Sequence, residues 1–156
     1  MNHLYKVSEV KLSYRARSKP KERVQVKCPA DCYKIFINHW EKGQLEHRES
    51  FKVLLLNQNG IVLGIYNVAE GGIADLQIDV RIILQAALLA NASSLVLAHN
   101  HPSNNLTPSY GDKEMTKMIQ EAALVMNINV FDHIIVCKGK YFSFADSGLL
   151  FERKIK

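Results

Sequence analysis

Alternating apolar and polar positions open the chain and predict two short strands. Residues 10–14 and 24–26 each place apolar side chains on one face and polar side chains on the other. The turn-like sequence at residues 18–21 lies between them, so we expect the two strands to pair as a hairpin. Further along, apolar residues follow the helical spacing i, i+3, i+4 and i+7: Tyr33, Phe36, Ile37 and Trp40. They predict a helix that begins at Pro29 and ends at Gly43.

The rest of the chain predicts further strands and helices. Two apolar runs, residues 51–57 and 61–68, are separated by Asn59-Gly60, a dipeptide typical of a β-hairpin turn. A helix over residues 80–91 is apolar nearly all round, so we expect it to lie buried between layers. A short apolar strand, a helix and a final pair of strands complete the prediction: residues 95–98, 109–127, 130–137 and 141–144. This order favours an α/β fold in which helices cover both faces of a central mixed sheet.

The net charge of +5 is concentrated at the start of the chain. Residues 1–27 hold eight Lys or Arg against Glu9 and Glu22, whereas residues 28–156 hold twelve Lys or Arg against thirteen Asp or Glu. Such a basic arm can bind nucleic-acid phosphates through counterion release. We favour the simpler interpretation, a solvated strand pair whose Lys-rich edge discourages aggregation. The arm does not decide the function.

Cysteine content and hydropathy indicate a reducing compartment. The three cysteines are an odd number, which argues against a disulfide framework. No apolar run approaches the roughly 18 to 20 residues of a membrane span, and the first six residues lack the apolar stretch of a secretory leader. We therefore expect a cytoplasmic protein without membrane contact. Cys28 and Cys32 would need two further soft ligands to bind zinc and only Cys137 is left, so all three are interpreted as structural.

The segment between the apolar strand and the next helix carries the residue types of a metal site. In an extended backbone, side chains at i and i+2 point to the same side, so His99 and His101 can converge while Asn100 points away. Pro102 keeps the preceding residue extended. Asp112, in the first turn of the helix, supplies a carboxylate as third ligand. Three ligands of this kind leave a fourth zinc position for water, which is the catalytic pattern, although the same set also suits Fe(II).

Three further roles have competing interpretations. Ser109 could donate a hydrogen bond to an oxyanion, but a serine three residues before an aspartate at a helix start is also a capping arrangement. For the general base we favour Glu49, at the head of a predicted strand. Glu46 and Glu70 also lie near loops, and sequence spacing alone cannot choose among the three. His133 is interpreted as a core residue of an apolar strand, with a position beside the metal ligands as the alternative.

Four strings carry a family resemblance: Glu49-Ser-Phe, His99-Asn-His-Pro-Ser, Pro108-Ser-x-x-Asp112 and Asp132-His-Ile-Ile. Together they resemble the RadC branch of the JAMM (JAB/MPN) domains over about residues 45–150. Two loop positions depart from the family pattern. Asn-Asn-Leu follows Ser103 where the family usually has Gly-Asp-Pro, and Val80-Arg stands where it tends to have Pro-Arg. Both lie outside the ligand set, so they bear on substrate fit more than on metal binding.

The resemblance implies a three-layer, cytidine-deaminase-like α-β-α fold and a zinc ion on His99, His101 and Asp112. It matches Glu49 to the family's general acid/base and Ser109 to its motif serine. JAMM domains include zinc peptidases that cleave peptide or isopeptide bonds. We therefore expect a zinc metallohydrolase that acts on an amide bond in a peptide or protein substrate.

The resemblance also bears on the organisation of the chain. The RadC name implies a link to DNA repair, so the alternative function is a non-catalytic, DNA-associated accessory module that uses the basic residues 1–27. We divide the chain into an N-terminal extension of strands and a helix, residues 1–44, packed on a RadC-like JAB/MPN domain, residues 45–156.

Overall fold

Helices and strands alternate through residues 7–16, 18–71 and 77–151, which are the residues described by a computed structural model. The helices are α1 (Pro29–His39), α2 (Val80–Leu89) and α3 (Tyr110–Val125). The strands are β1 (Ser50–Leu56), β2 (Val62–Glu70), β3 (Ser94–Asn100), β4 (Asn129–Cys137) and β5 (Lys140–Ser143). Every element predicted from Pro29 onwards is present, although α1 ends at His39 rather than at Gly43.

The strands form one mixed sheet in the order β2-β1-β3-β4-β5. At its centre, β3 runs antiparallel to β1 and parallel to β4, and the edge strands β2 and β5 pair antiparallel with their neighbours. Parallel neighbours need a crossover connection, which α3 supplies between β3 and β4. Because β3 has a hydrogen-bonded strand on each side, the position of its carboxyl end is fixed.

Side chains of β1 and β3 alternate between two hydrophobic cores. One core lies between the sheet and the pair α2 and α3, and it includes Phe51, Leu97, Ile83 and Ile119. The other lies between the sheet and α1, and it includes Leu54, Val96, Cys32 and Phe36. Helices therefore cover both faces of the sheet, which confirms the predicted three-layer α/β fold.

The predicted N-terminal hairpin is wrong. Neither residues 10–14 nor residues 24–26 form a strand, and the β contact of this segment is an isolated bridge to Ile61. Val10 and Leu12 are 81% and 79% exposed, so the alternating pattern has no apolar surface to pack against. A two-stranded ribbon without such a surface is marginally stable in water. The interpretation of the basic segment as a Lys-rich strand edge is wrong for the same reason.

The prediction that α2 lies buried between layers is also wrong. Ile83 and Ala87 are fully buried against the sheet, but Leu88 is 48% and Leu89 is 39% exposed. The helix forms part of an outer layer and therefore has one face towards solvent. Apolar content alone did not reveal this, because leucines on the exposed face keep the average hydrophobicity of the helix high.

The segment before residue 45 contributes α1 to the second core, where Cys32 and Phe36 are fully buried. The division of the chain at residue 44 stays a prediction. Lys6 and Arg17 of the basic arm, and residues 152–156 at the other end, lie outside the described residues. Within the described ranges, none of the helices has the length and apolar character needed to cross a membrane.

Candidate metal centre

The carboxyl end of β3 positions both histidines. His99 is the last but one residue of the strand, and its side chain is fully buried on the face covered by α2 and α3. Asn100 points to the opposite face, and His101 returns to the side of His99, as strand alternation predicts. The antiparallel register sets Phe51 of β1 opposite His99. Continuing this register by two residues places Glu49 opposite His101.

The start of α3 brings Asp112 to the same point. Ser109 is the N-cap residue, and its Oγ accepts a hydrogen bond from the Asp112 backbone N–H at 3.0 Å. In return, Oδ2 of Asp112 accepts a hydrogen bond from the Ser109 backbone N–H at 2.7 Å. This reciprocal capping box satisfies two N–H groups that a helix start would leave without partners. The capping interpretation is confirmed, and the same bonds orient the Asp112 carboxylate.

The ligand atoms of the predicted metal-binding residues face one another at short range. The Nε2 atoms of His99 and His101 lie 2.9 Å apart. The carboxylate of Asp112 contacts both rings, with Oδ1 3.2 Å from His99 Nε2 and Oδ2 3.4 Å from His101 Nε2. Glu49 joins them, and one ligand atom from each of the four residues lies within 4.8 Å of the others. The structure thus brings together residues that are up to 63 positions apart in sequence.

Of the three glutamates considered as general base, Glu49 is the one in this cluster. Glu46 is exposed on the turn that precedes β1. Glu70 forms an ion pair with Arg48 at 3.1 Å and accepts a hydrogen bond from Asn67. Geometry therefore favours Glu49, and its role as a base stays a prediction.

Charge pairing governs the electrostatics of the cluster. The hydrogen bond to Asp112 raises the pKa of the His101 imidazole, because the carboxylate stabilises its protonated form. Burial alone would raise the pKa of Asp112, but its close contacts with the His101 and His99 imidazoles outweigh burial and hold that pKa well below its usual range. At neutral pH Asp112 is therefore a carboxylate, and its negative charge favours a proton or a cation at the imidazoles of His99 and His101.

The donor set fits a divalent metal ion. His101 donates its Nδ1–H to the backbone carbonyl of Asn105 at 2.7 Å, so its Nε2 faces the cluster and offers a lone pair there when the ring is neutral. Two imidazole nitrogens 2.9 Å apart need either a proton or a metal cation between them. Imidazole nitrogen and carboxylate oxygen are common zinc ligands, and the same set suits Fe(II). The group of Glu49, His99, His101 and Asp112 could therefore hold a metal ion.

The cluster borders an open cleft of about 470 Å³, a volume in the range of small-molecule sites. Apolar surface from Phe51 and Met115 lies beside the polar group of ligands. Ser109 also lines the cleft. Its Oγ uses a lone pair to cap α3, so its hydrogen remains suited to donation towards a substrate oxygen. His47 lines the same cleft.

Comparison with known proteins assigns this arrangement to a family. The sequence model described as the RadC-like JAB domain matches residues 26–149. The chain belongs to this family. The match begins before α1 and ends after β5, so this RadC-like JAB domain includes the three α-helices α1 to α3 and the five strands β1 to β5.

Relatives of this RadC-like JAB domain are named UPF0758 proteins. The one from Flavobacterium johnsoniae is 41% identical over 107 residues, which cover 69% of this chain and 46% of the relative. The one from Porphyromonas gingivalis is 43% identical over 104 residues, covering 66% of this chain and 46% of the relative. The one from Symbiobacterium thermophilum is 34% identical over 139 residues, which cover 89% of this chain and 58% of the relative. The chain spans about half the length of the relatives it matches.

Asn100 holds in place the segment of the JAB domain that carries Glu49. Its buried side chain accepts a hydrogen bond from the Ser50 N–H at 2.8 Å. It also donates to the carbonyls of Leu45 at 2.7 Å and Arg48 at 2.9 Å. The sequence indicated only that Asn100 points away from the histidines. An asparagine on the covered face of a buried strand was the available signal, since such a side chain needs polar partners.

His133 is both a core residue and a direct contact of His99. It is fully buried, and its ring stacks on Phe144 with centroids 4.6 Å apart. Its Nε2 lies 2.7 Å from His99 Nδ1, and its Nδ1 lies 2.6 Å from Thr116 Oγ1. Both interpretations drawn from the sequence thus hold for its position. Thr116 was missed, although its place four residues after Asp112 puts the two on one helix face.

Proposed function

We propose that this chain is a zinc-dependent hydrolase that cleaves an amide bond in a peptide or protein substrate. The observation that carries the proposal is the convergence of Glu49, His99, His101 and Asp112 within 4.8 Å of one another beside an open cleft. Membership of the JAB domain family supports hydrolase chemistry at such a group. The proposal concerns the chemistry of this domain, because the relatives are about twice as long.

Each polar group at the cleft has a role in this reaction. Zinc on His99, His101 and Asp112 would supply Lewis acidity, which lowers the pKa of water towards about 7 and polarises a carbonyl oxygen. The Glu49 carboxylate accepts the proton of the attacking water and returns it to the nitrogen of the leaving amine. Ser109 donates its hydroxyl hydrogen to the oxyanion that forms on the carbonyl oxygen.

Metal content is the first test. Protein purified without chelator is analysed for bound metals, and metal-stripped protein is titrated with zinc by calorimetry. We expect about one zinc per chain, and we expect His101→Ala to lower the affinity strongly because it removes a ligand. Iron in place of zinc would contradict the choice of metal and favour the Fe(II) alternative. Protein that binds neither metal would contradict the proposed function.

Turnover is the second test. Zinc-loaded protein is assayed against peptide libraries and fusions of ubiquitin-like proteins, beside Glu49→Gln and the matched control Glu46→Gln. Loss of the base should lower kcat by roughly 10²- to 10⁴-fold, whereas Glu46 is exposed outside the cluster and its variant should keep normal turnover. Equal activity of the two variants would contradict the role of Glu49.

A DNA-associated accessory role is the second candidate. Four basic side chains near the start of the chain are exposed: Lys11, Arg15, Lys19 and Lys21. Replacing all four with Gln should weaken binding to single-stranded or branched DNA and flatten its dependence on salt. A control variant replaces four exposed lysines elsewhere: Lys34, Lys42, Lys138 and Lys140. Salt-independent binding, or equal loss in both variants, would contradict a contact through this segment.

A further inference from the structure

We infer that Thr116 and His133 are positioning residues that hold His99 in the tautomer with hydrogen on Nδ1, so that its Nε2 lone pair faces Asp112 and His101. The inference rests on the proposed function, because the use of that lone pair is to bind the metal. It assigns a role to two buried polar side chains that take no part in the chemistry proposed above.

The direction of the hydrogen bonds is fixed at Thr116, the last side chain in the series that runs from His99 through His133. Thr116 Oγ1 lies 2.5 Å from the backbone carbonyl oxygen of Asp112. Two oxygens at this distance need a hydrogen between them, and a carbonyl oxygen can only accept. Thr116 therefore donates its single hydroxyl hydrogen to Asp112.

Each remaining bond follows from that donation. Since the hydrogen of Thr116 is used, its Oγ1 can only accept from the nitrogen 2.6 Å away, so His133 carries hydrogen on Nδ1. The Nε2 of neutral His133 is then an acceptor, and the atom 2.7 Å from it is Nδ1 of His99. His99 must therefore donate from Nδ1, which leaves a lone pair on Nε2.

Burial excludes the other protonation pattern. A doubly protonated His133 would donate to His99 and place hydrogen on His99 Nε2, where it would block a metal. His133 is fully buried, stacks on Phe144, and bonds through its two ring nitrogens to an imidazole and a hydroxyl. A positive charge in that position would have no carboxylate as a hydrogen-bond partner and would be costly.

The chain of bonds also couples the two ends of the site. It starts at His99, passes through His133 of β4 and Thr116 of α3, and ends on the backbone of Asp112, whose carboxylate lies 3.2 Å from His99 Nε2. His101 reaches the same tautomer by a different route, a single bond to the Asn105 carbonyl. Loss of Thr116 should therefore affect His99 and leave the tautomer of His101 unchanged.

The test compares Thr116→Val, which keeps the shape and removes the hydroxyl, with Thr116→Ser, which keeps the hydroxyl. Imidazole nitrogen signals of ¹⁵N-histidine-labelled, metal-free protein report the tautomer of each ring by NMR, and calorimetry reports zinc affinity. In the wild type and in Thr116→Ser we expect hydrogen on His99 Nδ1. In Thr116→Val we expect population of the His99 Nε2–H form and zinc binding weaker by roughly 10-fold or more, as is typical when a partner of a metal-ligating histidine is lost.

The outcomes separate this inference from the proposed function. Wild-type protein with hydrogen on His99 Nε2 overturns the inference, and this measurement needs no variant and no metal. Wild-type zinc binding that Thr116→Val leaves unchanged, together with an unchanged tautomer, also overturns it while the proposed function stands. Wild-type protein that refuses zinc overturns the proposed function, and the NMR measurement still decides the tautomer.

Discussion

Replacing Asn100 should destabilise the fold and disable the site by one mechanism. The side chain is fully buried and makes three hydrogen bonds, to the Ser50 N–H and to the carbonyls of Leu45 and Arg48. These bonds tie the segment that carries Glu49 to the end of β3. Asn100→Ala removes all three, whereas Asn100→Asp keeps the size of the side chain and replaces its donor with a charged acceptor.

The magnitudes follow from the burial of the partners. A typical hydrogen bond contributes about 1 kcal/mol net, so Asn100→Ala should cost about 3 kcal/mol. The bond from the Ser50 N–H should account for the largest share, because this buried donor would be left without a partner. In Asn100→Asp the two carbonyl oxygens face a carboxylate oxygen and the charge is buried without a partner. That variant should lose on the order of 4 kcal/mol or more.

Urea unfolding of the wild type and the two variants measures the free energies directly. At this chain length a loss of about 3 kcal/mol also lowers Tm by roughly 6 to 12 °C. Asn38→Ala is the control, because Asn38 is exposed on α1 and should change stability by about 0.5 kcal/mol or less. In any folded Asn100→Ala protein, turnover should fall more than zinc affinity, because Glu49 is released and the ligands are not. The reasoning is refuted if Asn100→Ala loses less than about 1 kcal/mol, or if Asn100→Asp is the more stable variant.

Two further predictions test the core and the cysteines. Phe36→Ala should cost about 3 to 5 kcal/mol in urea unfolding, because Phe36 fills the core between α1 and the sheet, while Lys34→Ala on the exposed side should be nearly neutral; equal effects would contradict the packing of α1. A maleimide at pH 8 should label exposed Cys28 and spare Cys32, since burial raises the pKa of the Cys32 thiol to about 12; labelling of Cys32 in folded protein would contradict its burial.

The positions of the candidate metal ligands were predictable because local rules place them. Strand alternation puts His99 and His101 on one side, and the helix that starts at Tyr110 brings in Asp112 in its first turn. The choice of Glu49 over Glu46 and Glu70 depends on the register between β1 and β3, which sets Phe51 opposite His99. Register is a property of two paired strands, so the spacing of residues within one segment cannot predict it. The family resemblance, rather than spacing, singled out Glu49 from the sequence.

The contacts that support the ligands were harder to predict for the same reason. Thr116 and His133 lie 17 residues apart on α3 and β4, and they meet because α3 crosses back over the sheet. The prediction of two N-terminal strands was wrong for the opposite reason. Their alternating pattern is correct locally, but Val10 and Leu12 have no apolar surface to cover. A pattern of apolar and polar residues thus predicts a helix or strand reliably when its apolar side chains pack against the rest of the fold.

The segment from Ser109 to Asp112 shows that one residue can be part of a capping motif and also face a candidate metal site. The bond from the Ser109 N–H to Asp112 Oδ2 begins α3, and it leaves the same carboxylate in contact with His99 and His101. A chain without hydrolase activity would still need this bond for its helix start, so these residues alone do not indicate catalysis. Glu49 lies before β1 and has no such part in forming a helix. The identity of that residue, rather than the presence of the histidines and aspartate, is therefore what should separate an active hydrolase from a domain that only binds metal.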